Sequence, residues 1–152
     1  VTGRAWWLAA AVWAGCGEAD LPGERFMVTL VGSEDNCHTS MVQYSETFEY
    51  RVVLDGSQAA IYLGEGLLAN GVLNGCRLTY ASPPFVEDRG DGATVRWSLV
   101  GEADVVFTGG GCDAGEGWKG TETVRIIDST DPDVLRGCTY EMEANGFRAD
   151  GS

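Results

Sequence analysis

The feature that most constrains this chain is a period-two alternation of apolar and polar residues between residues 48 and 142. In Phe48-Glu49-Tyr50-Arg51-Val52-Val53-Leu54, the side chains of Phe48, Tyr50, Val52 and Leu54 fall on one face of an extended segment. Val95, Trp97 and Leu99 do the same, as do Cys76, Leu78 and Tyr80, and Cys138, Tyr140 and Met142. Such alternation specifies strands with one wet and one buried face, which antiparallel sheets provide. Asp55-Gly56, Asn70-Gly71, Asn74-Gly75, Asp91-Gly92 and Asn145-Gly146 read as turns between them, because glycine takes the positive φ of tight hairpins. No segment beyond residue 24 carries a helical period. The expected fold is all-β, a small antiparallel β-sandwich or β-barrel.

Internal similarity suggests that this domain is built from two related halves. Val28-Thr29-Leu30-Val31-Gly32 resembles Trp97-Ser98-Leu99-Val100-Gly101, and each is followed by a cysteine, Cys37 or Cys112. Tyr50-Arg51-Val52-Val53-Leu54-Asp55 then matches Val124-Arg125-Ile126-Ile127-Asp128. Val72-Leu73-Asn74-Gly75-Cys76 matches Val134-Leu135-Arg136-Gly137-Cys138. Four cysteines admit three pairings. Equivalent halves predict Cys37 with Cys76 and Cys112 with Cys138; crossed pairing between the halves is the rival.

The first residues differ in character. Arg4 precedes an uncharged apolar run over residues 5–15, the length of a signal-peptide core rather than of the roughly 20 residues a spanning helix needs. The run ends in Trp13-Ala14-Gly15-Cys16, which resembles the lipobox of bacterial lipoproteins, with Trp13 where that motif commonly carries an aliphatic residue. The resemblance implies a signal peptide over residues 1–15, a lipidated Cys16 with a tether to residue 24, and a β domain over residues 25–148. It also implies a membrane partner through that lipid and an extracytoplasmic location at the cell envelope. Gly17 after the cysteine favours the outer membrane. An oxidising compartment agrees with cysteines held as disulfides.

Charge and composition narrow the function. Asp and Glu number 23 against 10 Lys and Arg, a formal net charge of −13, which repels phosphate backbones and argues against a nucleic-acid partner. His38 is the sole histidine, and no Gly-x-Ser-x-Gly elbow accompanies it, so a serine-histidine triad has no base beyond that residue. Asp55 and Asp128 occupy related positions without the Asp-Thr/Ser-Gly signature of aspartic proteases, and Asp55-Gly56 reads as a turn. Asp128, Asp131 and Asp133 have a spacing that could supply oxygen ligands to Ca²⁺, but no EF-hand pattern is present and a solvated acidic turn is the plainer reading; no metal and no cofactor is expected. Arg89-Gly90-Asp91 spells an integrin-binding tripeptide in a glycine-rich loop.

Trp97 falls on an inward position, whereas Trp118 lies among glycines and is the candidate contact residue for a protein or carbohydrate partner. The reading that follows is a lipid-anchored, non-catalytic interaction or binding domain. Two alternatives stand beside it. One is a carbohydrate-active hydrolase using paired carboxylates drawn from Glu65, Glu102 and Glu122. The other is a lipocalin-like barrel with an apolar ligand in an internal cavity, although the lipocalin Gly-x-Trp signature is missing.

Overall fold

The alternating segments become nine strands in a computed structural model that describes residues 21–37, 44–108 and 117–149. They are β1 (Glu24–Asp35), β2 (Ser45–Asp55), β3 (Gln58–Leu63), β4 (Gly66–Asn74), β5 (Arg77–Ala81), β6 (Phe85–Asp88), β7 (Thr94–Val105), β8 (Gly117–Ser129) and β9 (Thr139–Arg148). The leader, Cys16 and the tether up to residue 20 lie outside the described residues, as do His38 and Cys112. Each strand runs antiparallel to its neighbours, and β9 returns to β1. Strands β1–β5 and β7–β9 thereby close into an eight-stranded barrel, with β6 as an extra strand on β7.

Strands β5 and β6 follow one another along the same edge of β7, Ala81 opposite Val100 and Phe85 opposite Trp97. Pro83 and Pro84 divide them, since neither can donate a ladder hydrogen bond. Ser82 bridges the break. Its N–H donates to the Leu99 carbonyl, and its Oγ accepts from the Leu99 N–H, both at 2.8 Å.

A circuit of paired residues shows the stagger of the barrel. It leaves β1 at Glu34, passes Glu141, Thr123, Val100, Ala81, Asn70, Ala60 and Val53, and returns beside Glu24 at the other end of β1. Stagger of this kind tilts the strands and leaves an interior just wide enough for side chains to fill. Large and small residues alternate there. Phe26, Tyr50, Tyr80 and Trp118 are buried against Ala59, Ala69, Ala103 and Ala144.

Two of the expected turns are strand interiors instead. Gly56, Gly75 and Gly92 do take positive φ at hairpin bends, but Asn70-Gly71 lies within β4 and Asn145-Gly146 within β9. Their glycines serve close approach rather than φ. A Cβ on Gly146 would run into the Met27 carbonyl, and one on Gly71 would meet the Thr79 carbonyl and Tyr80 Cβ.

The repeated sequence elements are dispersed round this single meander. Leu30 and Leu99 are both buried on strands, as are Val52 and Ile126, whereas residues 72–74 end β4 and residues 134–137 belong to the connection before β9. The cysteine pairing inferred from equivalent halves is corrected accordingly. Cys37 is bonded to Cys138, with Cα atoms 5.1 Å apart, and Cys76 is held in a different disulfide. Barrel closure is the physical reason. It sets Asp35 opposite Tyr140 and lets the Asn36 N–H donate to the Thr139 carbonyl at 3.0 Å, so the residues just beyond β1 and just before β9 must meet. Cys76 sits in the β4–β5 turn at the opposite end of the barrel.

The Cys37–Cys138 bond spans 101 residues of chain and fastens the pair of strands that closes the barrel. A Cys37→Ala/Cys138→Ala double variant is expected to lose about 2–5 kcal/mol of stability in guanidinium unfolding. Non-reducing peptide mapping should recover a cross-linked fragment containing both residues.

Candidate functional site

Strand β8 carries one carboxylate in phase with its buried residues. Trp118, Glu122, Val124 and Ile126 all point inward, and Glu122 is 0% exposed. Its neighbours across the sheet are Gly101 on β7 and Met142 on β9. Gly101 makes the room. A Cβ there would fall on the Tyr80 ring, which instead lies flat across the bare backbone and brings its hydroxyl to Glu122. Tyr80 and Tyr50 both donate to Glu122 Oε1, at 2.7 Å and 2.9 Å.

Trp118 packs beneath this polar centre, its ring centroid 5.7 Å from Tyr50, 6.1 Å from Tyr80 and 5.4 Å from Phe26. These are tilted and edge-on contacts of the kind aromatic quadrupoles favour. Trp118 is 1% exposed, so the contact role expected for it is corrected: Gly117 starts a strand, and the indole fills the barrel. Burial raises the Glu122 carboxyl above the ordinary carboxylate range, and the hydrogen bonds from Tyr80 and Tyr50 only partly offset that. Glu122 Oε2 and Trp118 Nε1 have no hydrogen-bond partner among the described residues. Glu122 and Trp118 are both buried in the barrel. Side chains fill the barrel at this level.

Above the plug, at the end that carries the Cys37–Cys138 bond, Val95 and Ile126 stay buried but several inward aromatics are only half-buried. Phe48 on β2, Phe85 on β6, Trp97 on β7 and Tyr140 on β9 share the inward face of their strands, and Tyr44 stands at the entry to β2. Phe85 and Trp97 are paired across the ladder with centroids 4.9 Å apart. The Tyr44 hydroxyl donates to Glu46 Oε2 at 2.7 Å. Burial pushes the Tyr140 hydroxyl up to about 12, reinforced by the charges of Glu87, Asp35 and Glu122 and opposed by Arg89. Tyr44 is raised by burial and by Glu46, and it feels both Tyr140 and Glu122. One end of the barrel is therefore an aromatic mouth within reach of several carboxylates.

The remaining sequence candidates do not converge on it. Asp128 faces Arg136 at 3.8 Å, Asp131 faces Arg89 at 3.5 Å, and Asp131 Oδ1 accepts the Asp133 N–H at 2.9 Å. Their oxygens cap a turn and face arginines, and no group of acidic, histidine or cysteine side chains among the described residues is placed to hold a metal ion. The weak Ca²⁺ candidate gains no support from this arrangement. Glu65 lies in the β3–β4 turn, Glu102 on the outer wall and Glu122 inside, so these three carboxylates form no pair across a cleft. Glu102 borders a shallow depression of about 550 Å³ on the outside of the barrel, with Val72, Thr79, Val100, Thr121 and Glu141. Arg89 of the Arg-Gly-Asp string is engaged by Glu87 at 3.1 Å as well as by Asp131.

Sequence reasoning named Glu122 without ranking it and missed Tyr50 and Tyr80 as its partners. A usable signal was present: Glu122 stands in phase with Val124 and Ile126, where an apolar residue is expected. No protein-family model, curated protein or solved structure matches the chain.

A carboxyl whose folded value lies above its unfolded one stabilises the fold in acid and loses that contribution as pH rises through the folded value. Glu122→Gln keeps an acceptor for both tyrosine hydroxyls and removes the titration. Measured by guanidinium unfolding, stability of the variant relative to the parent should rise steadily from about pH 5 upward. Gly101→Ala, which drives Tyr80 off its seat, is expected to destabilise by about 1–3 kcal/mol.

Proposed function

We propose that this domain is a non-catalytic binding module that takes its ligand at the aromatic mouth of the barrel. One observation carries the reading: the inward aromatics at that end, Tyr44, Phe48, Phe85, Trp97 and Tyr140, keep part of their surface open, while Phe26, Tyr50, Tyr80 and Trp118 deeper in the barrel are buried. Half-open apolar rings beside a few fixed polar groups are the composition of small-molecule sites, and barrel mouths are a common place for them. Glu122, the one buried carboxylate among the described residues, is out of reach of any substrate, which disfavours the hydrolase alternative.

The module is placed outside the cytoplasm, held to the bacterial envelope by lipid on Cys16. Support for that comes from the lipobox-like Trp13-Ala14-Gly15-Cys16 and from the Cys37–Cys138 disulfide, a bond suited to oxidising compartments. A protein tethered there, with no acid–base pair gathered at a cleft among the described residues, has capture or presentation of a ligand as its simplest role.

A thermal-shift screen of the oxidised domain against small alcohols, sugars and amines tests the mouth. At least one class should raise Tm, and the shift should disappear in Trp97→Ala and Phe85→Ala yet survive in Val100→Ala on the outer wall. Loss of the shift in Val100→Ala alone would move the site to the outer depression. For the anchor, the intact mass from a bacterial membrane fraction should show loss of residues 1–15 and added lipid; an unprocessed, unlipidated chain would refute it.

A further inference from the structure

Contacts around Arg51 decide where the chain leaves the barrel. Arg51 is buried on the outer side of β2, its guanidinium 4.3 Å from the centre of the Tyr62 ring on β3. From there Nη1 donates to the Pro22 carbonyl at 2.6 Å. Gly23 follows at φ +112°, where a Cβ would run into the Val52 carbonyl, so the chain presses on β2 in a form that glycine takes without strain. The Glu24 carboxylate then accepts the Thr108 N–H at 2.8 Å and faces Arg148 at 3.9 Å. Residues 22–24 are therefore held by β2, by β9 and by the segment after β7.

That exit lies at one end of the barrel. Glu24 stands opposite Val52 near the close of β2, so the same end carries the β2–β3 turn at Gly56 and the β4–β5 turn at Gly75. The β6–β7 turn at Gly90 and Gly92 and the Cys37–Cys138 bond lie at the other end. Two lengths then decide the matter. Strand β1 has 12 residues. At about 3.3 Å per residue and a tilt of roughly 40°, such a strand covers about 30 Å of barrel axis. Pro22 is six residues from Cys16, and six residues fully extended span about 20 Å.

We propose that the acylated Cys16 holds the barrel with the start of β1 toward the envelope membrane and the Cys37–Cys138 end away from it. This rests on the reading of Cys16 as lipidated, which keeps that residue at the headgroup level. The reverse orientation is out of reach. A barrel standing on its Cys37–Cys138 end would lift Pro22 about 30 Å above the surface that holds Cys16, beyond a tether of about 20 Å. Leu21 and Phe147, 51% and 50% exposed, stand at the near end and meet the lipid surface first. The aromatic end opens on the aqueous compartment, so a ligand there arrives from solution and not from the bilayer that carries the anchor.

The test uses the lipidated chain from a bacterial membrane fraction, placed in nanodiscs doped with a gadolinium-chelating lipid and followed by amide NMR. Signals of Gly56 and Gly75 should be lost to paramagnetic broadening, and those of Gly90 and Gly92 retained. Equal loss at both ends, or loss confined to Gly90 and Gly92, overturns the orientation while leaving the anchor intact. A spacer of about 12 Gly/Ser residues between Asp20 and Leu21 should abolish the contrast, because it lets either end reach the surface. Contrast that survives the spacer overturns tether length as its cause. A chain whose intact mass carries no lipid overturns the anchor reading, and this proposal with it.

Discussion

Closure of the sheet is the constraint from which the rest follows. Once β9 pairs with β1, no long edge is left to satisfy except that of β6, and every inward side chain has to share one narrow cylinder. Volume then becomes the deciding quantity. Four large aromatics occupy the lower and middle interior, and glycine or alanine stands opposite them where the backbone comes close. Tyr80 over Gly101 is the clearest case, because the ring occupies the place where any other residue would put its Cβ.

The same constraint accounts for the polar centre. Tyr50 and Tyr80 reach across the interior from opposite sides of the barrel and need somewhere to put their hydroxyls. A buried hydroxyl without a partner is expensive, on the order of 1–3 kcal/mol, so an acceptor between them is worth the desolvation of one carboxyl. Glu122 supplies it with a single oxygen. The outcome is a plug across the barrel, with five half-buried aromatics gathered at the end above it.

Much of this was legible in the residues. Alternation at Phe48, Tyr50 and Val52, and again at Leu78 and Tyr80, marks strands without ambiguity, because a two-residue period fits no helix. The hairpin bends at Gly56, Gly75 and Gly92 were equally plain. Gly71 and Gly146 misled, since Asn-Gly looks the same whether glycine is needed for its φ or for its missing side chain. Trp118 misled for a related reason: Gly117 and Gly120, which read as loop, belong to a strand pressed against its neighbours, where Gly120 faces Ala103.

The sequence by itself determined the all-β character, the inward faces and the acidic surface, because these depend on residues a few positions apart. Only the tertiary structure decided the pairing of Cys37 with Cys138, the meeting of Tyr50, Tyr80 and Glu122, and the gathering of Tyr44, Phe48, Phe85, Trp97 and Tyr140 at one mouth. Each of those joins residues from strands far apart in the chain. Their proximity is set by how many strands close the ring and with what stagger, and no local pattern encodes either.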